Sequence, residues 1–190
     1  MAEGMEVELK LESELGGAVA ITVVIISVFL AIVHLKDENV IQGMNRAQIA
    51  AVDTWNQFEA ERIKLHGDEN DSAALKLNAA SPGADKAAYA AEAQRLQTKI
   101  GKYEKQSDDL STKAKAKEAL YSTLEFRHDQ FDMADAFCSI ALALAAVGAL
   151  AGRRWLLFGA WGAGAFGILM GLAGIVGWAI HPEWLASFLG

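Results

Sequence analysis

The chain has 190 residues, 53% of them hydrophobic and 22% charged, with a net charge of -7, two prolines and one cysteine. This balance excludes a collagen-like chain, a disulfide scaffold and a disordered acidic tail, and its lysines and arginines, interspersed with acids, offer no basic patch to a nucleic acid. A hydrophobic share above the soluble norm, with 17 glycines and 5 tryptophans, is what long lipid-facing segments averaged with a charged segment produce.

The first fifteen residues hold five Glu against Lys10. In this acidic leader (1–14), Met5, Val7, Leu9 and Leu11 alternate with Glu6, Glu8, Lys10 and Glu12. That is a strand-like period carried by residues that also favour helix, and a short amphipathic element packed on a neighbour is expected. Leu15 to Val33 then runs nineteen residues without a charge, long enough as a helix to cross a bilayer's hydrocarbon core. A first transmembrane helix is predicted over 15–35. The acidic leader and the length of the run argue against a cleaved signal peptide.

Residues 36–132 differ in character: alanine-rich, charged, and with Pro82 as their only proline. Ser81-Pro82-Gly83 reads as a turn between a first arm, 36–80, and a second, 84–132. On the second arm Leu96, Ile100, Tyr103, Ser107, Leu110, Ala114, Lys117, Tyr121, Leu124, His128 and Phe131 follow a four-three alternation, a coiled-coil seam with three polar interruptions. On the first, Val40, Met44, Ala47, Ala51, Trp55, Phe58, Arg62 and Leu65 give a looser stripe. An antiparallel helical hairpin outside the membrane is expected, with Gly67–Gly83 at its tip.

A second apolar run, 133–152, is followed at once by Arg153-Arg154 and by a third, 155–180. Each is long enough to span and the turn is too short to cross anything, so an antiparallel transmembrane hairpin is predicted, with a short tail at 181–190. Ala134, Cys138, Ala141, Ala145, Gly148 and Gly152 form a small-residue stripe on one helix, and Ala160, Gly164, Gly167, Gly171 and Gly174 form one on the other. Small residues let backbones approach closely in lipid, so the two stripes are expected to face each other. Gly162 and Gly177 lie off the stripe and suggest a second contact face. The fold class is therefore an all-α membrane protein with three spans and a long helical hairpin between the first and second. The lone Cys138 permits no intrachain disulfide and no Cys-based zinc site.

The two-arginine turn is the strongest topological cue. It puts that turn and the amino terminus in the cytoplasm and the helical stalk on the far side, the periplasm of a Gram-negative cell.

Two clusters could carry chemistry. Asp53, Trp55, Phe58 and Arg62 on the first arm, with Tyr103 and Tyr121 on the second, are candidates for a stalk interaction surface. His128, Asp132 and Asp135 share one helical face by their spacing, and His34 at the exit of the first span should lie at similar depth. Imidazole and carboxylate together suit Zn, Fe or Mn, so this set is a candidate metal site. The alternative is headgroup-level polar residues without a ligand. No hydrolase, P-loop or dinucleotide signature is present, no cofactor is implied, and an enzyme is not expected.

The run from Asp53 to Lys64 (D-T-W-N-Q-F-E-A-E-R-I-K), preceded by alanines from Ala47, is followed by Y-E-K-Q-S-D-D-L from Tyr103, F-R-H-D-Q-F-D-M-A from Phe126 and G-R-R-W-L-L from Gly152. In this order the motifs resemble a family of bacterial membrane proteins catalogued as domain of unknown function 4337. The resemblance implies one span, a long helical segment and a terminal two-span hairpin. It also implies that Asp53, Trp55, Lys64, Arg127, His128 and Trp155 occupy recurrent positions. Where the family tends to an aromatic pair after its Trp, this chain has Asn56 and Gln57 before Phe58 and Glu59. The family supplies no activity. The functional expectation is a structural or interaction module, self-assembling as a homo-oligomer or serving as an accessory subunit. The alternative is an oligomeric ion or proton channel with Asp135, Ser139, Thr22 and Ser27 around its axis.

Overall fold

A computed structural model describes the backbone of residues 2–83 and 85–178, with side chains from Gly16 onward. The predicted tail, 181–190, and the last two residues of the third span lie outside the described residues. All the regular structure described is helical: α1 is Ala2–Ala79, α2 is Lys86–Ala151 and α3 is Arg154–Val176. No proline interrupts the chain before Pro82, so nothing removes a backbone donor from the i to i-4 ladder. The leader is thus part of α1 and no separate strand-like element, because helix-favouring Glu, Leu, Lys and Met override a period of two. The less periodic stretch after Gly67 also stays helical up to Ala79.

The turns have local causes. Gly83 takes φ +88°, which a side chain would resist. Asp85 then caps α2: its Oδ1 accepts from the amides of Ala87 at 3.1 Å and Ala88 at 3.2 Å, satisfying donors that have no partner inside the helix. Between α2 and α3, Gly152 adopts φ +61°. Gly177, φ +79°, ends α3 with its amide on the Ala173 carbonyl at 2.8 Å. Gly177 is therefore a left-handed C-cap, which corrects its reading as part of a second helix-contact face.

The chain divides into two compact units. One joins α1 up to Gly43, α2 from Thr123, and α3; the other is Met44–Ser122. In the first unit α1 and α2 run antiparallel, and α3 packs on both. Ala134, Cys138, Ala141, Ala145 and Gly148 are buried, as are Ala160, Gly164, Gly167, Gly171 and Gly174, while Gly152 is exposed in its turn. A Cβ built on Gly167 would stand 2.7 Å from Cys138 Sγ and 3.0 Å from the Ala134 carbonyl oxygen, so α2 and α3 touch backbone to backbone there. The stripe on α3 does not serve α2 alone: at Gly164 the nearest neighbour is Ile26, at Gly171 it is Phe29, both on α1. Ile26, Leu30, Cys138 and Ala141 form one core cluster and Val19, Ala145, Leu157 and Ala160 another.

Each of the three helices is long and apolar enough to cross a membrane, and only 28% to 39% of each apolar window is buried within the chain. The remaining faces carry Ile21, Val24, Ile25, Val28, Phe158 and Leu172, all exposed. Aliphatic surface on this scale is stable against lipid and costly against water.

In the second unit α1 and α2 again pair antiparallel. Ala47, Ala51 and Leu65 on α1 and Leu96, Ile100, Ser107 and Ala114 on α2 are buried, and Trp55, Phe58, Tyr103, Leu110 and Tyr121 are half-buried. Lys117, placed in the seam by its spacing, is exposed. Its neighbour Glu118 instead reaches Trp55, whose indole Nε1 donates to Oε1 at 2.8 Å.

Candidate functional site

The polar residues of the first unit gather where α1 and α2 leave their apolar stretches. Three residues, one helical turn, separate His34 from Asp37 on α1, and His128, Asp132 and Asp135 stack on one face of α2. The antiparallel register makes two pairs of them. His34 Nε2 bonds Asp135 Oδ1 at 2.9 Å, and His128 Nδ1 bonds Asp37 Oδ1 at 2.6 Å. On the other side of the His128 ring, Nε2 lies 3.6 Å from Asp132 Oδ2. The four residues singled out by spacing are thus split, and the carboxylate that completes the His128 group is Asp37. Its signal in the sequence was its register: α1 advances from His34 to Asp37 while α2 retreats from Asp135 to His128.

Asp37 and His128 are largely shielded, their side chains 17% and 27% exposed, whereas Asp132 is 65% exposed. Partial burial is the largest single influence on His128 and pushes its pKa down. The Asp37 hydrogen bond, with the charges of Asp132, Asp37 and Asp129, outweighs it and holds the imidazole above its ordinary range. Loss of solvation pushes the Asp132 carboxyl up, His128 opposes this, and Asp37, Asp129 and Asp135 add to it.

Beside this cluster, α2 holds the end of α3. Arg127 Nε donates to the Gly174 carbonyl at 3.0 Å, and its Nη2 reaches Ile175 O at 3.4 Å. Gln130, fully buried, donates to Trp178 O at 2.8 Å. Composition and periodicity gave no hint of Gln130. A cation and an amide at a helix C-terminus satisfy carbonyls that the helix leaves open.

The polar groups proposed for a conducting axis do not converge within the chain. Thr22 Oγ1 donates to Ala18 O at 2.8 Å and accepts from Trp161 Nε1 at 2.9 Å, Asp135 is occupied by His34, and Ser27 and Ser139 are exposed.

In the second unit Trp55 and Phe58 meet edge to face at 5.3 Å, and the Arg62 guanidinium lies 5.9 Å from the Phe58 ring. Lys64 Nζ binds Glu61 at 2.7 Å, which raises the Lys64 pKa, and it sits 5.9 Å from the Tyr103 ring. Tyr121 joins Trp55, Ala51, Val52 and Glu118 around a shallow cleft of about 290 Å³. Asp53 is exposed, as is Trp155 in the first unit.

A family model described as Domain of unknown function (DUF4337) matches residues 15–177. No curated protein and no solved structure matches the chain.

Proposed function

The chain belongs to the DUF4337 family, which carries no assigned activity, and we propose that it works as a membrane-anchored helical interaction module without catalysis of its own. In this reading α3 and the apolar stretches of α1 and α2 cross the membrane as a close-packed anchor. Met44–Ser122 forms a coiled-coil-like hairpin outside it, through which the chain self-associates or joins a larger complex. The site is the bacterial inner membrane, with the amino terminus and the Arg153-Arg154 turn cytoplasmic and the hairpin periplasmic.

The observation that carries this is a set of three exposed aliphatic side chains on the outer face of the hairpin. Ile49, Val52 and Ile63 are 63%, 53% and 71% exposed, and their spacing puts them on one side of α1, away from buried Ala47, Ala51 and Leu65. In this reading they are the points at which a second helix docks. The occupied state of Asp135 and Thr22 supports a packed anchor over a conducting path.

The test is cross-linking in native membranes. With Cys138→Ala as background, Ile63→Cys and a bifunctional maleimide should give a product of twice the chain's mass or one containing a stoichiometric partner. Its yield should fall when Ile49→Asp is added. Absence of any product, with Ile63→Cys still labelled by a monofunctional maleimide, would contradict the proposal.

A further inference from the structure

Two carboxylates and an imidazole from two different helices come together in the first unit. We infer that Asp37, His128 and Asp132 form a binding site for a divalent transition-metal cation of the zinc class.

The first reason is position. One ligand atom from each of the three residues lies within 4.8 Å of the others. A tetrahedral zinc with bonds of about 2.0–2.2 Å needs its ligand atoms somewhat closer than that. Asp132 is the residue free to close the gap, being 65% exposed, while Asp37 and His128 are held by packing. The result is a site fixed on its inner side and adjustable on its outer side, with room for water as a fourth ligand.

The second reason is ligand type. Imidazole with carboxylates suits zinc, manganese or iron, and an all-oxygen shell would instead favour magnesium or calcium. The third is charge. Asp129 and Asp135 add negative potential around the group, and Arg127, the adjacent cation on α2, is turned to the carbonyls of α3. A cation is a natural counter-charge for such a group. The ring's two nitrogens face different carboxylates, Nδ1 toward Asp37 and Nε2 toward Asp132. Because its ligands come from α1 and α2, the site would clamp the two helices at the end of their apolar stretches.

The experiment uses the full chain in mild detergent, stripped with chelator and titrated with zinc chloride by calorimetry. About one equivalent of zinc per chain should bind. His128→Gln and Asp132→Asn should each weaken binding at least tenfold, and His34→Gln should leave it unchanged. Calcium chloride should not compete. X-ray absorption at the zinc edge of the wild-type complex, which depends on no variant folding, should show nitrogen and oxygen neighbours at about 2.0–2.2 Å with imidazole scattering. No saturable binding, equal binding by the His128→Gln and wild-type chains, or an absorption spectrum of hydrated zinc without imidazole would overturn the inference.

Discussion

Arg127 on α2 holds the last turn of α3 by bonding the Gly174 carbonyl at 3.0 Å, so the end of one helix is completed by a side chain of another. Replacing Arg127 by Ala leaves partly buried carbonyls without their charged donor. A loss of about 1.5–3 kcal/mol is expected, read as a lower unfolding midpoint in detergent. Arg127→Lys should recover only part of it, because an ammonium cannot reproduce a forked contact to Gly174 and Ile175. Equal stability of Arg127→Ala and wild type would show that the cap is dispensable.

Gly167 and Gly162 lie on the same helix and should respond in opposite ways to alanine. A methyl at Gly167 meets Cys138 Sγ at 2.7 Å and backbone atoms of Ala134 and Cys138 at 3.0 Å, while at Gly162 it meets nothing within 4 Å. Gly167→Ala should cost about 1–3 kcal/mol by overpacking. Gly162→Ala should be neutral, or stabilising by up to roughly 1 kcal/mol through helix propensity. Thermal midpoints of the two variants in one detergent decide the matter.

His128 predicts a pH dependence. Its folded pKa is raised, so its contribution to stability is complete below the unfolded value of about 6.5 and is lost as pH rises through the folded midpoint. In chelator-treated protein, the stability difference between wild type and His128→Gln should shrink as pH climbs through that range. An NMR titration should place the His128 midpoint above 6.5, and Asp37→Asn should lower it. A midpoint at or below the ordinary imidazole value contradicts the Asp37 bond.

Ser107 is 3% exposed and its hydroxyl has no hydrogen-bond partner among the described residues. A buried polar group in that state costs stability, so Ser107→Ala should raise the unfolding midpoint by an amount corresponding to about 1 kcal/mol. A lowered midpoint would mean the hydroxyl is bonded in solution.

These residues show what the sequence made legible. The four-three alternation found Leu96, Ile100 and Ala114, because burial between two helices imposes that period directly. It could not tell its three polar interruptions apart. Ser107 is buried, Lys117 is exposed and His128 is bonded to Asp37, and only the partner helix distinguishes them. The small-residue stripe on α3 was visible at Gly164 and Gly171, but its division between α1 and α2 was not, since periodicity reports a face and not what covers it. For the same reason the spacing gathered His128, Asp132 and Asp135, while Asp37 needed the register between helices. Gln130 bonds a backbone carbonyl of Trp178, a contact that no side-chain pattern encodes.

The mass of the gently solubilised native complex shows whether this chain acts through assembly. Native mass spectrometry should find either a multiple of the 20.4 kDa chain or a stoichiometric complex with another membrane protein, reduced in either case by Ile49→Asp with Ile63→Asp. A single 20.4 kDa species with bound lipid alone, unchanged across detergents that preserve the fold, would mean that the chain does not act through assembly.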